Sequence, residues 1–123
     1  MKDVELKYWT TKPNLFLVAE TESGKIVGCI AYRQITPNTV EMHRLSVNSN
    51  YRKLGIGRKL LETLINTAKE NGYDTMYLET WPRPAEILYK NMEFMFLREK
   101  TYLSSAIDFL TGMKLLCYVY RIQ

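Results

Sequence analysis

The sequence predicts an α/β protein built on one mixed, mostly antiparallel sheet, and two observations carry that reading. In the first half, apolar runs alternate with tight turns, so strand follows strand and neighbours should pair antiparallel. Further on, a strand, a long amphipathic helix and another strand succeed one another, a βαβ unit whose two strands should lie parallel.

Taken in order, Asp3 to Trp9 reads as the last turns of a helix, which Lys12-Pro13-Asn14 ends. Leu15 to Ala19 is a continuous apolar strand, and Glu22-Ser23-Gly24-Lys25 turns it into a second strand from Ile26 to Arg33. Pro37-Asn38 makes the next turn, before a third strand from Val40 to Val47. After Gly57 the apolar residues fall at Leu60, Leu61, Leu64, Ile65 and Ala68, the spacing of one buried helix face, with Glu62, Asn66, Lys69 and Glu70 opposite. Asn71-Gly72 ends that helix. Thr75 to Trp81 is the next strand, and Pro82-Arg83-Pro84 leads into a short helix with Ala85, Leu88, Tyr89 and Met92 on one face. Phe94 to Leu103 and Met113 to Ile122 are the last strands, joined by an irregular connection from Ser104 to Gly112.

At 123 residues, the chain is long enough for one cored domain and too short for two, so residues 1–123 are read as a single domain. A hydrophobic share of 46% with 24% charged residues is an ordinary globular composition. Cys29 and Cys117, in neither CxxC nor zinc spacing, point to a reducing, cytoplasmic setting, and His43 as the sole histidine argues against a metal site. Lys2-Asp3-Val4-Glu5 is charged where a signal peptide needs an apolar segment, and no run of about 18 apolar residues exists to span a membrane.

The net charge of +4 is concentrated at Arg52, Lys53, Arg58 and Lys59, between the third strand and the long helix. A glycine-rich first turn presents free backbone N–H groups and the positive end of a helix dipole, so this loop is suited to phosphates. A Walker loop is absent, and the dinucleotide fingerprint fails because Leu60 stands where its third glycine belongs. What remains is Arg-x-x-Gly-x-Gly, filled by Arg52, Gly55 and Gly57.

That motif, directly after an apolar strand, resembles the pyrophosphate-binding signature of the GNAT superfamily of acyl-CoA N-acyltransferases. The element order is similar from the family's second strand to its end. The family's second-helix pattern, Ala-x-x-Leu-Tyr-x-x-x-Gly-Phe, appears as Ala85, Leu88, Tyr89 and Phe94, with Glu93 where glycine is usual. The likeness covers roughly Leu15 to Gln123. It is narrowest for the camello-like branch of cysteine-conjugate and lysine N-acetyltransferases, through His43-Arg44-Leu45-Ser46-Val47 and through Thr111-Gly112 to Tyr120-Arg121.

The resemblance implies that acetyl-CoA lies where two parallel strands splay apart, here the ones ending near Val47 and starting near Met76. It assigns Leu45 and Val47 to the pantetheine through their backbones, and Arg52, Lys53, Leu54, Gly55, Ile56, Gly57 and Arg58 to the pyrophosphate. The implied reaction is direct attack of a primary amine, of a small molecule or a lysine, on the acetyl thioester in a ternary complex. Freeing the lone pair of a lysine-type amine at neutral pH costs roughly 4.6 kcal/mol, against about 1 kcal/mol for an α-amine. A general base therefore matters most for the first. Glu41, at the position of the family's glutamate base, is the candidate, with His43 two residues on as a second proton carrier. Tyr89 occupies the position of the tyrosine that protonates the departing thiolate. Each also has a structural reading: a solvent-facing carboxylate, a structural histidine, an aromatic core residue.

Relatives begin with a strand and one or two helices that form much of the acceptor wall, and only Lys2 to Trp9 stands for them here. The fold is thus expected to be N-terminally shortened, with the substrate side incomplete or completed by another chain, as in a homodimer. Camello-like proteins also carry an apolar membrane segment ahead of this domain, so a membrane-anchored longer form stands beside the cytoplasmic reading. The shortening motivates one alternative function, a non-catalytic acyl-CoA-binding or assembly module. The basic loop motivates another, nucleic-acid binding, which coenzyme A would not displace and which salt would weaken. A serine or cysteine hydrolase is disfavoured, because His43 lies in a strand beside no nucleophile elbow.

Overall fold

The computed structural model describes residues 4–10, 13–80, 85–101 and 114–122. Seven strands form one sheet: β1 (Val4–Thr10), β2 (Leu15–Thr21), β3 (Ile26–Thr36), β4 (Thr39–Val47), β5 (Thr75–Thr80), β6 (Met95–Thr101) and β7 (Lys114–Arg121), in spatial order β1-β2-β3-β4-β5-β7-β6. Two helices, α1 (Ile56–Glu70) and α2 (Ala85–Asn91), complete the described secondary structure, with a 3-10 turn at Ser49–Tyr51. Every strand pair is antiparallel except β4 with β5, the pair bracketing α1. The predicted mixed sheet with one parallel pair is therefore the observed one.

The N-terminal segment differs from the expectation. Val4–Thr10 is a strand, not the end of a helix, and it pairs antiparallel with β2 from Val4 opposite Thr21 to Thr10 opposite Phe16. Alternation decides this. Leu6 packs on the core and Tyr8 bonds Thr67 of α1 at 3.0 Å, while Trp9 stacks on Phe16 across the other face. A first strand is thus present, with β2 starting at Leu15 soon after it ends at Thr10. The predicted turn at Pro82-Arg83-Pro84, the Ser104 to Gly112 connection and the Thr111-Gly112 pair lie outside the described residues.

Both helices cover one face of the sheet. Leu60, Leu61, Leu64 and Ala68 of α1 are fully buried against Leu15, Leu17, Ile30 and Tyr32, and Tyr89 of α2 joins the same cluster with Phe94 and Tyr118. α1 approaches β3 closely at Gly28, where a β-carbon would meet Leu60 Cδ1 and the Ser46 carbonyl, each at 3.2 Å. The Tyr118 hydroxyl donates to Glu86 Oε2 at 2.7 Å and ties α2 to β7.

The parallel pair is short, and this positions the site. β4 and β5 are in register only at Thr39 with Thr75, Val40 with Met76 and Glu41 with Tyr77. Beyond Glu41, β4 stays with β3 as far as Val47, and β5 stays with β7 as far as Thr80. A register shift between Cys29 and Ala31 marks a bulge in β4, and Arg44 has a φ of 60° there. The bulge adds one residue to β4 and brings Leu45 and Val47, rather than Arg44 and Ser46, onto the helix-side core. The two strands splay from that point.

Candidate active site

The loop into α1 is built by its own backbone. The Asn48 N–H donates to the Val27 carbonyl at 2.7 Å, and its side chain accepts from the Asn50 N–H at 2.9 Å. Lys53 (φ 67°) and Gly55 (φ 79°) take left-handed conformations that swing the chain into the helix. Gly55 is the N-cap and offers no side chain to the first N–H groups, and no acidic residue occupies the first turn. The positive end of α1 is thus left for an external anion.

A cleft of about 630 Å³ opens there, within the size range of cofactor sites. Of the residues predicted for the cofactor, Leu45, Val47, Arg52, Lys53, Gly55, Ile56, Gly57 and Arg58 line it. Leu54 does not, and its side chain is 57% exposed. Ser46, Tyr51 and Leu88 complete the wall and escaped sequence reasoning, although Leu88 belonged to the motif that singled out Tyr89. A β-carbon on Gly57 would stand 3.7 Å from Leu88 and 3.8 Å from Val47, so glycine keeps this cradle open. Two of the basic groups already have partners: Arg52 Nε donates to the Val47 carbonyl at 3.2 Å, and Arg58 Nε to Glu62 at 3.0 Å.

The predicted proton-handling residues separate. Glu41 and His43 come together on the sheet face away from the helices, with His43 Nε2 3.7 Å from Glu41 Oε1 and Arg33 at 3.3 Å from the same oxygen. His43 Nε2 is buried with no hydrogen-bond partner, a lone pair or N–H held ready beside a carboxylate. A smaller cavity of about 280 Å³ adjoins it, walled by Phe16, Arg33 and Arg44. Tyr89 lies on the helix side, 3% exposed, with ring centroids 5.9 Å from Phe94 and 6.4 Å from Tyr118. Burial pushes its phenol up to about 12. Its ring packs in the core, while its neighbour Leu88 faces the cleft.

Tyr77 and Glu79 were missed. Met76 and Leu78 face the core, so Tyr77 and Glu79 take the face of Glu41 and His43; the only sequence signal was this alternation. The Tyr77 hydroxyl donates to Glu79 Oε2 at 2.7 Å, and Lys100 Nζ donates to the same oxygen at 3.2 Å. Burial together with Cys117 and Glu79 pushes the Tyr77 phenol well above its usual value. Burial pushes the Glu79 carboxyl up, but the bonds from Tyr77 and Lys100 and the charges of Lys100 and Arg98 outweigh it and hold the group below the usual carboxylate range. Among the described residues no group of histidine, cysteine or acidic side chains could hold a metal ion, and no helix is long and apolar enough to cross a membrane.

Residues 1–94 match the family model described as the acetyltransferase (GNAT) family. The chain belongs to that family. It is 34% identical over 127 residues to the probable N-acetyltransferase camello of Xenopus tropicalis, covering 100% of this chain and 57% of that protein. With N-acetyltransferase 8 of Mus musculus the identity is 31% over 120 residues, covering 92% of this chain and 50% of the relative. The chain thus spans about half the length of these curated relatives. A GNAT acetyltransferase from Elizabethkingia anophelis, solved with acetyl-CoA bound, superposes with a TM-score of 0.80 at 14% identity, covering 98% of this chain and 99% of that one. That likeness shows a shared GNAT fold.

Proposed function

We propose that the chain is an acetyl-CoA-dependent N-acetyltransferase acting on a primary amine. The observation that carries this is the cleft at the N-terminus of α1, lined by every residue expected to hold the cofactor except Leu54. The fit rests on three features. The first-turn N–H groups have no side-chain cap, the loop supplies cationic side chains, and Gly57 leaves space that a β-carbon would occupy. Acetyl-CoA, when bound, supplies an activated acetyl thioester. Leu45 and Val47 lie where β5 has left the edge of β4 and can offer it main-chain groups there, and Arg52 to Arg58 offer positive charge and backbone donors. On the opposite face, Glu41 and His43 lie 3.7 Å apart, near enough for one water to link them, and relay the proton that a lysine-type acceptor must lose.

The test pairs calorimetry of acetyl-CoA with an amine screen for coenzyme A release. Gly57→Val, in a helix where valine is no worse than glycine, should leave the melting temperature unchanged and weaken acetyl-CoA by at least about tenfold, about 1.4 kcal/mol. Equal affinity in the variant would remove the cleft from the reading. Binding without turnover of any amine would leave the non-catalytic module.

A further inference from the structure

Glu79 lies two residues beyond Tyr77, whose pairing with Glu41 is the last between β4 and β5. It therefore stands on the splayed part of β5, as His43 stands two residues beyond Glu41 on β4. Two strand residues span about 6.6 Å, so His43 and Glu79 sit at matching heights on the two banks of the opening, on one face of the sheet. Glu79 is mostly covered, with 21% of its side chain exposed. A carboxylate accepts at about four lone-pair positions, and the bonds from Tyr77 and Lys100 use two of them.

We propose that Glu79, held by the Tyr77 hydroxyl, is the binding point for the acceptor's ammonium, and that Lys100 occupies this point until an acceptor displaces it. The inference rests on the acetyltransferase reading and names the acceptor's chemistry: an alkyl amine that arrives as a cation. Three observations converge. Lys100 Nζ, 3.2 Å from Glu79 Oε2, is itself a primary alkylammonium seated on that carboxylate from the β6 side. Its side chain is 50% exposed, and so open an ion pair is worth at most about 1 kcal/mol, little enough for a competing ammonium to overcome. Tyr77 keeps its proton and stays a donor to Glu79, so the carboxylate remains oriented when Lys100 leaves. Labour then divides across the opening: Glu79 anchors the incoming cation, and Glu41 with His43 accepts its proton.

Steady-state kinetics on the whole chain test this with a lysine-type amine and with a second amine that is neutral at the assay pH. For the cationic acceptor, Glu79→Gln should raise KM at least about tenfold with a smaller change in kcat and an unchanged acetyl-CoA affinity. For the neutral acceptor its KM should move less than about threefold. Lys100→Met, which keeps the apolar stem and removes the competing ammonium, should lower KM for the cationic amine by about two- to fivefold. Equal KM effects on both amines, or a Lys100→Met enzyme with unchanged or raised KM, would overturn the assignment while leaving the acetyltransferase reading in place. A wild-type chain that acetylates no amine would take both down. Melting temperatures of the two variants separate a folding defect from a binding one.

Discussion

At Tyr89 burial and chemistry can be read from one titration. Its phenol ionises near 10 in the unfolded chain and at about 12 when folded, so the folded state holds the proton more tightly. The stability this contributes is fully present below pH 10 and is lost as pH rises towards 12, a loss on the order of a few kcal/mol. Tyr118, pushed up to about 12 by burial and by its bond to Glu86, adds a loss of the same sign. Denaturant unfolding should therefore show stability falling between pH 10 and 12, and Tyr89→Phe should flatten that fall. An unchanged slope would mean that the phenol is not held as its burial implies. The same burial disfavours loss of that proton, so the phenol is a weaker donor to a departing thiolate than an ordinary tyrosine. Glu41 is tested by pH in another range. Glu41→Gln should depress kcat/KM most at neutral pH with a lysine-type acceptor and less as rising pH frees the amine unaided. A deficit equal at every pH would remove Glu41 from the proton path.

At the scale of elements, the end of α2 shows what a single side chain costs. Phe94 N–H bonds the Tyr89 carbonyl at 2.9 Å and Glu93 N–H bonds the Lys90 carbonyl at 3.0 Å, a helix end that puts Glu93 at a φ of 69°. Glycine, the residue usual there in the family's pattern, would relieve the left-handed strain, though part of the gain is offset by the freedom it adds to the unfolded chain. Glu93→Gly should stabilise by about 0.5–1 kcal/mol and raise the melting temperature by about 2–6 °C; a lower one would show that the Glu93 side chain contributes more than its backbone costs. Legibility from sequence followed the range of the interactions. The β3 to β5 run was readable because Gly55, the apolar spacing of Leu60 to Ala68 and the turn at Pro37-Asn38 are local signals. The cofactor loop was readable for the same reason. Val4–Thr10 was not, because seven residues suit either a helix end or a strand and the deciding partner is β2. Nor was the Glu79–Lys100 pair, which joins residues 21 apart through the registers of β5 with β7 and of β7 with β6, the latter shifted between Phe96 and Arg98.

Across the whole molecule, the two described helices lie on one side of the sheet, and β1 and β6 are its edge strands among the described residues. The expected N-terminal shortening would leave the β2 edge of the sheet uncovered. The first strand is present, and the edge that stands out is at the opposite end. Met95, Phe96 and Leu97 of β6 are 66%, 53% and 49% exposed, three apolar side chains in succession on a strand that is an edge of the sheet among the described residues. An edge of this kind, without a charge among the three, is a template for another strand, and in a chain able to meet its own copies the nearest complementary edge is the same one related by a two-fold axis. We expect concentration-dependent dimerisation measurable by sedimentation velocity. Phe96→Lys, which places a charge on the edge at the cost of one ring contact with Tyr118, should shift the chain to monomer. Acetyl-CoA affinity should not follow, because the cleft is lined from β4, α1 and Leu88 with no residue of β6. If the acceptor face is completed by the second copy, KM for the amine should rise as the dimer dissociates; a wild-type chain that stays monomeric at every concentration while turning over its amine would show that one copy holds the whole site.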